Sequence, residues 1–158
     1  MKRRIKRNEI SLIIYDFDGV MTDNRALLME DGREAVFVHR GDGLAVSMIK
    51  EAGIKQFILS SETNLIVACR ARKLGLPLLQ AVKDKKAAVE ALIKEQGVDR
   101  ENIIFVGNDL NDKDAMLSVG WPVAPADASL EIRKIAKIVL QTAGGAGVVR
   151  ELLELLEK

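Results

Sequence analysis

The chain has 158 residues, of which 48% are hydrophobic and 30% are charged, a length and composition typical of one globular domain spanning residues 1–158. The 24 basic and 23 acidic residues leave a net charge of +1, so overall charge gives no support for a nucleic-acid partner. No stretch approaches the roughly 18 uninterrupted apolar residues of a membrane span. The basic cluster at 2–7 precedes an apolar stretch too short for a signal peptide, and the single cysteine cannot form an internal disulfide. We therefore expect a cytoplasmic protein without a membrane partner.

The first predicted strand, residues 10–15, is a continuous apolar run, as in strands buried on both faces of a parallel sheet. A β-hairpin is predicted over residues 25–38, where two short apolar segments flank a Glu-Asp-Gly turn. Apolar residues at helical spacing then alternate with short apolar runs. They predict helices over 42–52, 62–74, 84–96, 112–119, from 128 and from 148, and strands at 54–59, near 78–79, at 103–106, near 123 and at 138–140. This alternation predicts an α/β fold, a single Rossmann-like, doubly wound parallel sheet with right-handed crossovers.

Polar residues follow several predicted strands and are candidate site residues: Asp16, Asp18, Ser60, Asn108, Asp109 and Asp112, with Lys85 at the start of a helix. In open α/β sheets the site lies outside the carboxyl ends of the strands. Carboxylates gathered there repel one another by roughly 4 kcal/mol per pair at about 4 Å and an effective dielectric constant near 20, unless a cation lies between them. Because the ligands would be oxygen atoms without nearby Cys or His, the sequence predicts Mg²⁺ bound among Asp16, Asp18, Asn108, Asp109 and Asp112.

This set of residues suits the hydrolysis of a phosphate ester. Mg²⁺ and Lys85 would supply positive charge, and the Ser60 hydroxyl would supply a hydrogen-bond donor. Asp16 can then attack phosphorus in line to form an aspartyl-phosphate, which water hydrolyses. Asp18 can protonate the leaving alcohol and afterwards activate that water. Alternation along an extended strand would put both aspartates on the same side, so that both reach one phosphoryl group.

Segment 16–23, DFDGVMTD, resembles the first motif of haloacid dehalogenase-type phosphatases, in which the first Asp is the nucleophile and the second is the general acid and base. Ser60 falls where that family's Ser/Thr motif closes the second strand, and Lys85 falls where its lysine begins a helix. Segment 107–112, GNDLND, resembles its acidic fourth motif. These four elements occur in the family's order and span nearly the whole chain, so the resemblance implies a Mg²⁺-dependent phosphatase with a haloacid dehalogenase-like fold.

The chain resembles most the subgroup without a cap domain that hydrolyses phosphates of 3-deoxy-2-keto sugar acids. The hairpin at 25–38 lies where this subgroup builds its homotetramer, and RGDG at 40–43 follows it as in relatives. Segment 144–151, GGAGVVRE, is similar to the segment that reaches a neighbouring subunit's active site, which implies that Gly145 and Gly147 contact substrate. By itself the glycine-rich run indicates a flexible turn that frees the terminal helix. It lacks the Lys-Ser/Thr of a P-loop, which argues against nucleotide binding.

Within the subgroup, the residues after Ser60 favour a nine-carbon substrate. Octulosonate enzymes typically have Gly-Arg there, whereas this chain has Ser61-Glu62 followed by Arg70 and Lys73. That combination is similar to phosphatases of nonulosonate 9-phosphates, which belong to sialic acid biosynthesis. The resemblance implies that Glu62 accepts hydrogen bonds from sugar hydroxyls and that Arg70 or Lys73 meets the substrate carboxylate. Two structural alternatives stay open. Glu62 can be an acid at the start of a helix, where the helix dipole stabilises it, and Arg70 and Lys73 can belong to a helix face exposed to solvent.

Two alternative functions also stay open. The substrate can be an octulosonate 8-phosphate, because the sequence does not fix the sugar. The chain can also be a catalytically weak tetramerisation module, because Asn108 stands where the fourth motif usually has Asp, as in the phosphatase-like domain fused to acylneuraminate cytidylyltransferases. An amide oxygen can still ligate Mg²⁺, but with one negative charge fewer the metal should bind more weakly. A phosphorylatable receiver domain is disfavoured, because its modified Asp lacks an acid two residues later.

Overall fold

The computed structural model describes residues 5–157, so residues 2–4 of the basic cluster lie outside it. Its strands are β1 (Ile5–Lys6), β2 (Leu12–Tyr15), β3 (Leu27–Leu28), β4 (Glu34–Ala35), β5 (Lys55–Leu59), β6 (Leu78–Leu79), β7 (Ile103–Val106), β8 (Trp121–Ala124), β9 (Ile138–Val139) and β10 (Leu156–Glu157). Its α-helices are α1 (Arg40–Glu51), α2 (Leu65–Leu74), α3 (Lys85–Gln96), α4 (Lys113–Leu117), α5 (Leu130–Ile135) and α6 (Val148–Leu155). Within residues 5–157 no helix has the length and apolar character needed to cross a membrane.

The central sheet of the described chain has six parallel strands in the order β6, β5, β2, β7, β8, β9. β2 lies in the middle, with Leu12 opposite Lys55 of β5 and Ile103 of β7. The chain builds the sheet from β2 to one edge through β5 and β6, and then returns to β7 on the other side of β2. Ligands bind at such a change of direction in doubly wound sheets. The predicted fold class is therefore confirmed, and the topology locates the site between β2 and β7.

Alternate residues of the central strands enter two cores, one on each face of the sheet. Ile13 and Tyr15 of β2 pack on the side of α1, α2 and α6. Leu12 and Ile14 pack on the side of α3, α4 and α5. All four side chains are fully buried, which explains why this strand is a continuous apolar run. Polar side chains are left to gather in the loops at the strand ends.

The inserted hairpin contains two strands of two residues each, β3 and β4, which pair antiparallel. Its apolar side chains are largely exposed, at 66% for Leu27, 68% for Leu28 and 83% for Phe37. A two-stranded ribbon of this size is marginally stable on its own. The hairpin therefore presents apolar surface that the described part of the chain does not cover.

The glycine-rich segment 144–147 is anchored, so the prediction of a flexible turn that frees the terminal helix is wrong. Gly144 N donates to Asp127 Oδ1 at 2.8 Å, and Gly145 N donates to the carbonyl oxygen of Val20 at 3.0 Å. A side chain at position 144 would collide with the backbone of Gly19, which is why glycine is needed at this close approach. α6 then packs against α1 and buries its apolar face in the core.

Candidate active site

A cavity of about 180 Å³ opens at the carboxyl ends of β2, β5 and β7. It is lined by Asp16, Asp18, Asn24, Ser60, Ser61, Glu62, Asn108, Asp109 and Asn111. The structure thus brings together seven residues that the sequence predicts for the site, and it adds Asn24 and Asn111. A larger cavity of about 430 Å³ lies at the amino-terminal end of β5, and the described residues that line it include no carboxylate. The smaller cavity is therefore the candidate active site.

Asp16 and Asp18 reach this cavity from a turn, not from the extended strand that the sequence predicts. β2 ends at Tyr15. The carbonyl oxygen of Phe17 then accepts a hydrogen bond from Met21 N at 2.9 Å, which closes a tight turn. This turn, and not strand alternation, directs both carboxylates into one cavity.

Lys85 is buried between two carboxylates at the start of α3. Its Nζ donates to Asp16 Oδ1 at 2.8 Å and to Asp112 Oδ1 at 2.7 Å. Asp84 caps the helix, since its Oδ1 accepts from Ala87 N at 2.9 Å, and this cap makes Lys85 the first helical residue. Burial lowers the pKa of Lys85, but the two carboxylates outweigh burial and raise that pKa above its ordinary value. The ammonium is therefore a fixed positive charge beside Asp16.

Two predicted metal ligands, Asp112 and Asp109, accept hydrogen bonds in the loop after β7. Asp112 is fully buried, and its Oδ2 accepts from the amides of Asn108 and Asp109 at 2.9 and 3.3 Å. Asp109 is exposed, and its Oδ1 accepts from Leu110 N at 2.8 Å. The structure gives Asp112 a positioning role, because it fixes both Lys85 and the backbone of Asn108. Asp109 in turn stabilises the first turn after β7.

Oxygen atoms of Asp16, Asp18 and Asn108 converge between β2 and β7. In one orientation of the Asn108 amide its Oδ1 faces only acceptors, namely Asp16 Oδ2 and the carbonyl oxygen of Asp18. Turned over, Nδ2 donates to the same two atoms at 3.1 and 3.0 Å. A carboxylate, a carbonyl and an amide oxygen form the kind of small oxygen set that holds Mg²⁺ while water and phosphate complete its coordination. The residues present fit Mg²⁺, although within residues 5–157 no three His, Cys, Asp or Glu side chains form a metal-binding cluster.

Burial governs the protonation of the two candidate catalytic aspartates. Burial, followed by the Asp112 carboxylate, raises the pKa of Asp16 to about 7, against the opposing effect of Lys85. Burial, followed by the Glu62 carboxylate, raises the pKa of Asp18 above its ordinary value. Asp18 therefore retains a proton more readily than an exposed aspartate does, as a general acid requires.

Ser60 and Glu62 lie in the loop after β5. Ser60 is buried, and its Oγ accepts from Glu62 N at 3.1 Å. Its hydroxyl proton can still be donated to a phosphate oxygen in the cavity. The helix predicted over 62–74 begins at Leu65 in the structure, so Glu62 precedes it. The reason is that Asn64 caps α2, since its Oδ1 accepts from Ile66 N at 3.0 Å.

The remaining predicted substrate residues lie away from the cavity in this chain: Arg70, Lys73, Gly145 and Gly147. Arg70 of α2 is buried, and its side chain reaches the start of α1. There its Nη2 donates to the carbonyl oxygen of His39 at 3.1 Å. Lys73 is exposed on α2. Gly145 packs against the turn after β2, and Gly147 packs against the ring of His39. Within one chain, these four residues are not part of the cavity lining.

Asn24 and Asn111 line the cavity and are not among the site residues that the sequence predicts. Asn24 has a φ of 64°, in the left-handed region that Asn occupies more readily than most residues. Its signal in the sequence is an Asn directly after the DFDGVMTD segment. Asn111 lies inside the GNDLND segment, and its neighbours Asp109 and Asp112 are the residues of that segment for which the sequence predicts metal binding.

Comparison with known proteins identifies the family. The model of the haloacid dehalogenase-like hydrolases matches residues 44–152, more than half of the chain. The chain therefore belongs to the haloacid dehalogenase-like hydrolases. Among curated relatives, 3-deoxy-D-manno-octulosonate 8-phosphate phosphatase of Haemophilus influenzae is 32% identical over 152 residues, which cover 96% of this chain and 84% of that protein. N-acylneuraminate cytidylyltransferase of Oncorhynchus mykiss is 29% identical over 153 residues, which cover 94% of this chain and 35% of that protein.

Solved structures show the same fold. A HAD family hydrolase from Streptomyces avermitilis superposes with a TM-score of 0.94 at 42% identity, covering 97% of this chain and 94% of that chain. The 3-deoxy-D-manno-octulosonate 8-phosphate phosphatase of Moraxella catarrhalis, in complex with a magnesium ion, a phosphate ion and KDO, superposes with a TM-score of 0.90 at 28% identity. That match covers 94% of this chain and 86% of that chain. The haloacid dehalogenase-like fold implied by the sequence is confirmed.

Proposed function

We propose that this haloacid dehalogenase-like hydrolase is a Mg²⁺-dependent phosphatase for the phosphate ester of a 3-deoxy-2-keto sugar acid, with octulosonate 8-phosphate as its preferred substrate. The observation that carries the proposal is the buried arrangement of Asp16, Lys85 and Asp112 beside the oxygen atoms of Asp18 and Asn108. The substrate class is supported by the relatives from Haemophilus influenzae and Moraxella catarrhalis, both of which are octulosonate 8-phosphate phosphatases.

The eight-carbon substrate replaces the nine-carbon one that the sequence favours. The nine-carbon interpretation depends on Glu62, Arg70 and Lys73, and two of these three residues lie away from the cavity. A nonulosonate 9-phosphate remains the second candidate. It is supported by the position of Glu62 in the cavity and by the match to an N-acylneuraminate cytidylyltransferase.

We assign the role of nucleophile to Asp16. Its Oδ1 is held by Lys85, and its Oδ2 faces the amide of Asn108. In the first step an Asp16 oxygen forms a bond to phosphorus while the bond from phosphorus to the sugar oxygen breaks, and Asp18 donates its proton to that departing oxygen. When bound by Asp16, the Asp18 carbonyl and Asn108, Mg²⁺ supplies positive charge to the phosphoryl oxygens.

The second step regenerates the enzyme. Asp18, now a carboxylate, takes a proton from a water molecule whose oxygen attacks the phosphorus of the aspartyl-phosphate. The bond between phosphorus and Asp16 breaks, inorganic phosphate is released, and Asp18 is protonated again. Lys85 and the Ser60 hydroxyl stabilise the negative charge that develops on the phosphoryl oxygens. Asp112 holds Lys85 in place for both steps.

The test is phosphate release from octulosonate 8-phosphate, a nonulosonate 9-phosphate and p-nitrophenyl phosphate, with Mg²⁺ and after chelation. We expect kcat/KM to be highest for the octulosonate ester by about tenfold, which corresponds to about 1.4 kcal/mol of transition-state binding. A preference for the nonulosonate ester would favour the second candidate. Hydrolysis that persists after thorough chelation would contradict the assignment of Mg²⁺.

Asp16→Asn is the matched control, because the amide fills the volume of the carboxylate but cannot attack phosphorus. We expect turnover to fall by about a thousandfold or more, with an unchanged circular dichroism spectrum. Asp18→Asn should slow turnover by roughly 10²- to 10⁴-fold, the usual contribution of a general acid and base. If the wild-type protein releases phosphate no faster than Asp16→Asn, the protein is a catalytically silent module and the proposed function is wrong.

A further inference from the structure

A second cavity of about 220 Å³ adjoins the catalytic cavity and shares Asp18, Asn24 and Glu62 with it. It lies between the hairpin and the start of α2, and its other lining residues include Glu34, Asn64, Phe17, Val36, Ile66 and Val67. Asp16 lines the catalytic cavity but not this one. In the proposed mechanism Asp18 protonates the leaving group, so the cavity on the Asp18 side is the space that the leaving group would enter.

The second cavity offers mainly hydrogen-bond acceptors. Glu34 and Glu62 place two carboxylates in its lining, in addition to Asp18. The cation in the lining, Arg25, is engaged by Asp23 through Nε and Nη2 at 2.9 and 2.7 Å. A second anionic group on a substrate would be repelled here, whereas hydroxyl groups can donate charge-assisted hydrogen bonds to the carboxylates. The cavity therefore suits a neutral, polyhydroxylated part of the substrate, and the carboxylate of a sugar acid has to lie outside it.

Asn64 holds Glu34 in position. Asn64 Nδ2 donates to Glu34 Oε2 at 2.9 Å, which connects β4 of the hairpin to the start of α2. Asn64 is itself fixed, since its Oδ1 accepts from Ile66 N at 3.0 Å and its carbonyl oxygen accepts from Gln80 Nε2 at 2.7 Å. A glutamate on an exposed strand of two residues thereby gains the defined position that a recognition residue needs.

We propose that Glu34 is a specificity-determining residue that accepts hydrogen bonds from the hydroxyl groups of the leaving group next to the phosphate, and that Asn64 positions it. The proposal rests on the phosphatase activity proposed above, but not on which sugar acid is used. Esters without hydroxyl groups near the phosphate gain nothing from Glu34, because they cannot form these contacts.

Glycerol 3-phosphate and n-propyl phosphate test the proposal, because both have a three-carbon chain and they differ by two hydroxyl groups. We expect the wild-type protein to prefer glycerol 3-phosphate in kcat/KM by about tenfold, from contacts made with the leaving group. Glu34→Ala should reduce this preference to near one by slowing turnover of glycerol 3-phosphate alone. Asn64→Asp keeps an oxygen to cap α2 but loses the donor to Glu34, so it should produce a smaller loss of the same kind.

Glu30→Ala is the matched control, because Glu30 is an exposed glutamate of the same hairpin that lines neither cavity. It should keep the wild-type preference. Equal losses on both esters in Glu34→Ala would reveal a structural role of the hairpin and would overturn the proposal, as would an unchanged preference.

Failure of the proposed substrate is distinguishable from failure of this inference. In the first case the wild-type protein shows no advantage for octulosonate 8-phosphate, while the two three-carbon esters still report on Glu34. If neither three-carbon ester is turned over, the two are compared by calorimetric titration of Asp16→Asn with and without Glu34→Ala. Loss of the affinity difference on Glu34→Ala supports the proposal, and an unchanged difference, or none in either protein, overturns it.

Discussion

Asp16 lies where a carboxylate ionises with difficulty unless more positive charge is present. Lys85 donates to it at 2.8 Å, but the same ammonium also binds Asp112, so two buried carboxylates share one positive charge. Burial and the second carboxylate therefore raise the pKa of Asp16 to about 7. A cation beside Asp16 Oδ2 would favour the ionised, nucleophilic form. This is a physical reason for the proposed activity to need a divalent cation.

The raised pKa of Asp16 predicts how the stability of the metal-free protein depends on pH. Between the unfolded value near 3.8 and the folded value of about 7, the folded chain binds more protons than the unfolded chain. Its free energy of unfolding therefore falls as pH rises through this window. Asp16→Asn removes this loss, so in chelator it should raise the melting temperature more at pH 8 than at pH 5.

The control for this measurement is Asp114→Asn, which changes an exposed aspartate outside the cavity. Its effect on the melting temperature should be the same at both pH values. An equal effect of Asp16→Asn at pH 5 and pH 8 would contradict the raised pKa of Asp16.

We expect the substitution Asn108→Asp to increase the affinity for Mg²⁺ and to decrease the stability of the metal-free protein. Asn108→Asp adds a negative charge to the proposed Mg²⁺ site and should tighten Mg²⁺ binding by about tenfold or more, because close charges interact by several kcal/mol. Without metal the new carboxylate faces Asp16 Oδ2 and the Asp18 carbonyl oxygen with no proton to donate, whereas the Asn108 amide can donate to both. Metal-free Asn108→Asp should therefore melt at a lower temperature than the wild-type protein.

Calorimetric titration with Mg²⁺ and melting curves in chelator measure the two effects separately. Asn111→Asp is the matched control, because it adds the same charge to the lining of the same cavity away from these three oxygen atoms. If both variants tighten Mg²⁺ binding equally, the effect is one of general charge, and Asn108 is not a ligand.

Residues that follow strands could be predicted from the sequence, because the carboxyl ends of parallel strands meet at one edge. Asp16, Ser60 and Asn108 belong to this group. The position of Glu34 in the lining of the second cavity could not be predicted, because Glu34 lies on the hairpin and its partner Asn64 comes 30 residues later in the chain. Helical spacing places Arg70 on a face of α2, but it does not show that this face turns towards His39.

The N-cap of α3 connects this helix to the site, because Lys85 is the first residue after the cap. Asp84 accepts from Ala87 N, which fixes the first turn and with it the backbone of Lys85. Asp84→Ala should lower the free energy of unfolding by about 1 kcal/mol, the usual value of an N-cap. It should also lower kcat several-fold, because Lys85 loses its fixed direction towards Asp16.

Chemical denaturation and steady-state kinetics check this prediction. Asp99→Ala is the control, because Asp99 precedes a short 3₁₀ turn without forming a side-chain cap. Comparable destabilisation by both variants would show that the cap on α3 contributes nothing specific.

The sequence predicts the type of most elements, and most of its errors concern where an element begins or ends. The strand at 103–106 is predicted with the observed bounds, because a short apolar run is followed directly by glycine. The helix predicted over 62–74 begins three residues late, because Asn64 and not Glu62 provides the cap. The parallel pair of β1 and β10 could not be predicted, because Ile5–Lys6 and Leu156–Glu157 each contain a charged residue and form no apolar run.

In the whole molecule, the carboxyl-terminal segment supports the active-site turn from behind. Arg150 N donates to Asp42 Oδ1 at 3.1 Å, and Gly145 N donates to Val20 in the turn after β2. Residues 148–155 also bury apolar side chains in the core. Removing the chain from Gly144 onward would therefore unfold the protein, so a contribution of this segment to a neighbouring subunit has to be tested by another route.

We propose that the hairpin joins subunits into a homotetramer. Substitutions in the hairpin can therefore test whether a neighbouring subunit contributes to the site. Exposed Leu27, Leu28 and Phe37 would be buried between copies, where their apolar area stabilises association. A neighbouring subunit could also supply the cation that the carboxylate of a sugar acid requires, since Arg25 in the second cavity is already engaged by Asp23. Assembly would thus exclude water from the site and complete it.

Light scattering should give the wild-type protein a mass about four times that of the 17.4 kDa chain. The double variant Leu27→Lys with Leu28→Lys should reduce this mass, because four like charges per hairpin pair would repel one another in a buried interface. It should also lower kcat/KM for octulosonate 8-phosphate more than for p-nitrophenyl phosphate, which has few contacts to lose. Leu130→Lys on α5, at a leucine of similar exposure, should leave mass and kinetics unchanged. A monomeric wild-type protein, or a double variant that keeps both the mass and the substrate preference, would show that the site is complete within one chain.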